Sequence, residues 1–227
     1  IALEANMPRK GQKLQGEATS TTKPRHDSDR IVLFTNPEDT FKEHKTSANG
    51  SLYPNLGLVT LMNSAKQKID DPNVKIGYYD GAVHGSDILN DFIAANPGKI
   101  AVLCVSALTS NYEGSLGLVK KARSMNPGLK VIYGNDHFST LYKEVMSNQS
   151  DIDFGFYGND VVEGFSDLLR DLLTGNTKRL DTYPGLVFRD GGIVRKNPEN
   201  PEEYTRLHLL DYSIIDSLFA TSHLYSN

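Results

Sequence analysis

The side chains in this chain best suited to meeting a ligand are small and neutral, and they cluster in turns. Ser106 and Thr109 follow the apolar run Ile100 to Val105, with Leu108 between them. Gly134-Asn135-Asp136-His137 follows Val131-Ile132-Tyr133, Gly158-Asn159-Asp160 follows Phe154 to Tyr157, and Thr35-Asn36-Pro37 follows Ile31-Val32-Leu33-Phe34. Hydroxyls and amides offer neutral hydrogen bonds, and a glycine lets backbone approach a ligand where a Cβ would collide. This is the chemistry of holding a ligand. Gly-x-Ser-x-Gly is absent, so Ser106 lacks the strained elbow of a hydrolase nucleophile. Neither Gly-x-x-x-x-Gly-Lys-Ser/Thr nor Gly-x-Gly-x-x-Gly occurs, which removes the common phosphate-binding loops. No residue is assigned a catalytic role or a metal.

The lone cysteine, Cys104, lies inside an apolar run and reads as a buried thiol; one cysteine forbids an internal disulfide or a three-cysteine cluster. A net charge of −4 over 227 residues, without a basic stripe, argues against nucleic acid as a partner. No apolar run has membrane length, and the first residues lack the apolar core of a signal peptide. The expectation is a soluble cytoplasmic protein. Because the chain starts at Ile1 and stops after Tyr225-Ser226-Asn227 without a closing element, a fragment of a longer protein is expected.

The turns need elements to position them. Residues 1–30 are polar, with scattered Gly, Pro, Ser and Thr, and read as an arm. Over 31–175 apolar runs alternate with helical stripes: Leu58, Leu61, Met62, Ala65 and Ile69; Leu141, Tyr142, Val145 and Met146; Val161, Val162, Phe165, Leu168, Leu169 and Leu172. These stripes read as core faces. Ser86 before Ile88, Leu89 and Phe92 predicts a short capped helix. The predicted order is a strand at 31–36, a long turn, a helix at 56–69, a strand at 74–79, a short helix, strands at 100–105, 130–134 and 153–157 with helices between, and a last helix. Right-handed crossovers would give an α/β fold with a five-stranded, doubly wound parallel sheet of flavodoxin-like, Rossmann-like order. Within 176–227, Gly185 to Arg189, Asp190-Gly191-Gly192 and Ile193 to Arg195 predict a β-hairpin, and Pro198 and Pro201 begin an extended tail. Ligands of such sheets bind beyond the carboxyl ends of the strands, where the polar turns lie.

In order and spacing, a set of short strings resembles the N-terminal cobalamin-binding domain of cobalamin-dependent radical S-adenosylmethionine enzymes. They are Tyr53-Pro54-Asn55-Leu56-Gly57-Leu58, Tyr79-Asp80-Gly81, Ser106 to Tyr112, Gly134-Asn135-Asp136-His137, Asp153-Phe154 with Gly158, Pro184 to Gly192, and Leu210-Asp211-Tyr212. The resemblance covers roughly residues 31–219. It implies a corrinoid over the sheet's carboxyl edge with its nucleotide tail beside the central strands. Ser106 and Thr109 would donate to the tail, Gly134 and Gly158 would let backbone approach it, and Tyr53, Leu56, Leu108 and Tyr112 would form an apolar floor. Thr35, Asn36, Pro37, Gly57, Asn135, His137 and Asn159 complete the expected contacts. Turn chemistry alone explains each residue, since glycines end strands and hydroxyls cap helices, but not their joint order.

Two positions depart from the family's pattern. Asn135 stands second in the usual Gly-Gly-x-His turn, and Asn159 replaces the acidic residue of Gly-Glu, leaving Asp160 as the nearest carboxylate. Asn tolerates left-handed backbone, so Asn135 need not break its turn. Asp-x-His-x-x-Gly, which carries the cobalt-ligating histidine of other cobalamin domains, is absent, so the resemblance implies base-off cobalamin without a protein ligand. His137 then reads as a turn or tail contact; His26, His44, His84, His208 and His223 read as surface residues. The family's Cys-x-x-x-Cys-x-x-Cys, which holds an iron-sulfur cluster for S-adenosylmethionine, is missing here and would lie in a downstream radical domain, in cis or trans. The implied function is the cobalamin module of a radical methyltransferase acting on an unreactive carbon or phosphorus. The alternative is a corrinoid-free interaction domain of the same fold.

Overall fold

The computed structural model describes residues 29–38, 55–159, 161–177 and 179–200. Five strands, β1 (Arg30–Asn36), β2 (Val74–Asp80), β3 (Ile100–Ser106), β4 (Lys130–Gly134) and β5 (Phe154–Phe156), run parallel. Between them lie α1 (Leu56–Lys68), α2 (Gly81–Ala95), α3 (Tyr112–Met125) and α4 (Asp136–Asn148), and α5 (Val162–Thr174) follows β5. The sheet order is β2-β1-β3-β4-β5, continued by β6 (Leu186–Asp190) and β7 (Ile193–Lys196).

The sheet therefore has seven strands and not the five expected. The hairpin is present as predicted, but β6 pairs antiparallel with β5 through Gly155↔Val187 and Phe156↔Leu186, and β7 pairs with β6. Three-residue β5 would otherwise be an open edge, and an unpaired edge leaves backbone groups without partners. Arg189 on β6 adds a second tie. Its guanidinium donates to the carbonyls of Met146 (2.8 Å), Gln149 (2.5 Å) and Ile152 (2.6 Å), at the end of α4 and just beyond. The last carbonyls of a helix have no partner within it, and a cation there also suits the helix dipole.

Alternation along each strand divides the core into two layers. Val32, Phe34, Val102, Cys104, Ile132 and Phe156 pack against Leu58, Met62 and Ala65 of α1 and Phe165 and Leu169 of α5. Leu33, Leu103, Val105, Val131 and Tyr133 face Leu89 and Ile93 of α2, Val119 of α3, and Phe138 and Met146 of α4. Helices thus cover both faces, as a parallel sheet requires. The α1/α5 contact is close, with buried Ser166 donating to Ser64 (2.8 Å).

The element after β2 is longer than the short helix expected. It begins at Gly81 and is broken at Gly85, whose φ of 72° and ψ of 154° lie outside any helix. Ser86 does stand at the restart, but its hydroxyl donates to Glu38 (2.6 Å).

Candidate functional site

The carboxyl ends of β3, β4 and β5 open into a slot of about 440 Å³ between the sheet and the pair α1 and α5. Small-molecule sites span roughly 300–1,000 Å³, so the slot is of ligand size. Its depth is apolar: Leu58 and Leu61 from α1, Cys104, Ile132 and Phe156 from the sheet, and Val162 and Phe165 from α5. Its mouth is polar and small, formed by Asn55, Gly57, Ser106, Gly134, Asn135, Gly158 and Asn159.

Asn55 and Asn135 are both helix N-caps. The Asn55 Oδ1 accepts from the Leu58 amide (3.1 Å), and the Asn135 Oδ1 accepts from the Asp136 amide (2.7 Å). Those bonds fix which end of each side-chain amide is oxygen. Both NH2 groups then point at the same atom: Asn135 Nδ2 donates to Ser106 Oγ at 3.0 Å and Asn55 Nδ2 at 3.4 Å. A hydroxyl has one proton and two lone pairs. With both lone pairs engaged, Ser106, which lines the slot, keeps its proton for an acceptor outside this pair. Tyr78 steadies the arrangement from the next layer. Its hydroxyl donates to buried Asp80 (2.9 Å) and accepts the Asn55 backbone N–H (3.2 Å).

Gly134 ends β4 facing the slot, and a Cβ built there would meet nothing within 4 Å. The protein's own packing therefore leaves that space open. Gly158 differs, with a φ of 88° and the Glu199 carboxylate where its Cβ would be.

Six of the expected contacts thus line the slot: Gly57, Ser106, Gly134, Asn135, Gly158 and Asn159. The others lie elsewhere. Thr35 is fully buried at the end of β1, and its hydroxyl has no partner among the described residues. Asn36 is half-buried opposite Asp80, and the Pro37 carbonyl accepts from buried Asn111 (3.0 Å). Leu56 and Leu108 are large apolar side chains left 52% and 43% exposed at the carboxyl edge. Thr109, Tyr112 and His137 meet on the α3/α4 side. The His137 ring packs on Tyr112 (centroids 4.2 Å apart), and its Nδ1 lies 3.1 Å from Thr109 Oγ1. Burial holds the His137 imidazole below its usual pKa, against the opposing pull of the Glu113 carboxylate. Tyr53 and Asp160 lie outside the described residues.

Sequence reasoning placed Cys104 correctly as buried, and burial pushes its thiol pKa well up. It missed that Cys104 also borders the slot. It missed Asn55 as a site residue too, although an Asn directly before a helical stripe is a capping signal.

A sheet in this order, with a slot under its carboxyl edge flanked by the first and last helices, defines a doubly wound ligand-binding domain. The family model for the B12 binding domain matches residues 48–165, just over half of the 227 residues, and the chain belongs to that family. Its fold is similar to that of the cobalamin-dependent S-adenosylmethionine radical enzyme OxsB. The structure with aqua-cobalamin and S-adenosylmethionine bound aligns with a TM-score of 0.56 at 15% identity, and the one with aqua-cobalamin bound at 0.53 and 15%. Each alignment covers 75% of this chain and 22% of OxsB, so the chain spans about a fifth of that enzyme's length. Among curated proteins none matches. No helix of the described residues is long and apolar enough to cross a membrane.

Proposed function

We propose that this chain holds cobalamin base-off, with the nucleotide tail in the slot between the sheet and α1/α5 and the corrin ring over the carboxyl edge. The observation that carries this reading is the Ser106 hydroxyl, held by two amides so that its proton remains free at the mouth of an apolar slot. The nitrogen of a benzimidazole base, freed from cobalt, is an acceptor that such a proton suits, and its flat apolar body suits the walls. Gly134 leaves the space a tail would fill. Exposed Leu56 and Leu108 offer apolar surface at the edge for a flat ring to cover. The chain's histidines supply no ligand to cobalt in this reading: among the described residues none lines the slot, and His137 is engaged with Tyr112 and Thr109.

Bound cobalamin would supply a cobalt centre able to carry a methyl group. The chain's share is to bind and orient it, as the protein does for cofactors generally. By likeness of fold to OxsB, the module serves a radical S-adenosylmethionine enzyme whose radical domain acts in cis or trans. A methyl transfer to an unreactive carbon or phosphorus is the reaction proposed. Titration with hydroxocobalamin tests the binding. One equivalent bound with a base-off absorption spectrum is expected; a spectrum unchanged from the free cofactor would favour the corrinoid-free interaction domain.

A further inference from the structure

The floor of the slot differs in chemistry from its mouth. Ser106 pairs in register with Gly134, and Cys104 pairs with Ile132, two residues earlier on the same strands. Residues i and i+2 share a face, so Cys104 and Ile132 lie about 6–7 Å further in along the strands than Ser106 and Gly134. Leu61 of α1, Phe156 of β5, and Val162 and Phe165 of α5 close the walls around them, and all but Leu61 are buried. The Phe156 and Phe165 rings meet edge to face, with centroids 5.6 Å apart.

Among the described residues, the polar groups nearest that floor are turned away or engaged. The Tyr133 ring lies in the layer on the opposite face of the sheet, its hydroxyl 2.8 Å from Ser115 Oγ. The backbone of Cys104 is laddered to Phe34 on one side and Ile132 on the other, and Ile132 in turn to Phe154. The Thr60 hydroxyl gives its proton to the Leu56 carbonyl (2.9 Å) at the exposed rim. Burial holds the Cys104 thiol protonated, and such a thiol behaves as a small hydrophobe with a weak donor. A group that reaches this depth meets hydrocarbon and one thiol.

We propose that this slot selects the base of the cobamide it holds, taking a benzimidazole in preference to a purine. The inference rests on the cobalamin reading and adds a rule of selection to it. Both kinds of base present the same ring nitrogen to Ser106, the one released from cobalt, so the hydroxyl does not tell them apart. They differ at the far ring, which the length of a fused two-ring base carries down to Cys104 and Ile132. Dimethylbenzimidazole ends there in methyl groups, whereas adenine ends in ring nitrogens and an amine. The methyl groups gain by leaving water. The nitrogens and the amine would lose their water and find no partner in exchange. The mouth anchors the base, and the floor identifies it.

The test is a pair of dissociation constants for the full chain, one for hydroxocobalamin and one for the cobamide that carries adenine in place of dimethylbenzimidazole. Each is corrected for the base-off fraction of the free cofactor, read from its acid titration, because the competent fraction scales apparent affinity. The unaltered protein is expected to prefer the benzimidazole form by about tenfold or more. Leu61→Gln, on the half-buried wall, and Cys104→Ser, nearly isosteric on the floor, each set a polar group against the far ring. Each should narrow the ratio by about threefold or more, with melting curves as the folding control. A corrected ratio near unity, or one favouring adenine, overturns the inference, as does an undiminished ratio in the folded variants; the cobalamin reading then stands. If neither variant folds, the ratio of the unaltered protein decides alone. Failure of the unaltered protein to bind either cofactor would remove both the inference and the reading.

Discussion

Asn135 points its side-chain amide at the Ser106 hydroxyl, 3.0 Å away, from a backbone with φ 81° and ψ 178°. Among the described residues it is the one non-glycine with positive φ. That region is nearly reserved for glycine and costs other residues about 1–3 kcal/mol. The strained side chain does two jobs, capping α4 and orienting Ser106. Asn135→Gly and Asn135→Ala remove the same groups but only the first relieves the backbone. The glycine variant is expected to be the more stable by about 1 kcal/mol or more in urea unfolding. Equal stabilities would mean that the turn is not strained.

Gly134 and Gly158 line the same slot but stand on different footings. A side chain at Gly134 enters open space, so Gly134→Val should keep its melting temperature and lose hydroxocobalamin binding. At Gly158, positive φ and the Glu199 carboxylate oppose any side chain, so Gly158→Val should lose stability as well as affinity. Binding constants beside melting curves separate the two outcomes.

Replacing Ser106 by Ala removes the shared acceptor and the free proton together. Affinity for hydroxocobalamin should fall by about 0.5–1.5 kcal/mol, a smaller loss than for Gly134→Val, because a net hydrogen bond is worth less than a blocked channel. Undiminished affinity in a calorimetric titration would show that the tail does not use this hydroxyl.

Arg189 reaches three carbonyls around the C-terminal end of α4. Arg189→Met keeps much of the side chain's apolar stem and removes the donors, so it should destabilise the domain by about 1–3 kcal/mol. Chemical denaturation reads this directly. A midpoint shift too small to measure would indicate that water replaces the guanidinium.

His137 makes stability depend on pH. Its folded-state pKa is lowered, chiefly by burial, so below the ordinary imidazole value of about 6.5 the unfolded chain takes up the proton first. Stability from this group is full above that value and falls as the pH drops through it. Melting curves from pH 8 to pH 5 should show this loss, and His137→Gln should reduce it. An unchanged profile in the variant would assign the pH dependence to other groups.

The strands and their turns were legible because their signals are local. Val131-Ile132-Tyr133-Gly134 marks a buried strand and its end whatever lies around it, and five parallel strands appear where such runs fall. The same locality marked Ser106, Gly134, Asn135 and Gly158 for the carboxyl edge, because in a parallel sheet strand ends share one side. Pairing between distant segments has no such local mark. The Asp190-Gly191-Gly192 turn announced a hairpin, but only the open edge of β5 and the carbonyls at the end of α4 made β6 part of the sheet. Thr109, Tyr112 and His137, next to slot residues in sequence, went to the other face, since the chain turns into α3 and α4 there. Asn55 reached the slot, and the Glu199 carboxylate the Gly158 backbone, from segments remote in sequence from Ser106 and Gly158, through a helix cap and a hairpin return. Their positions follow from packing and backbone hydrogen bonds between distant residues, which exist only once the sheet has formed.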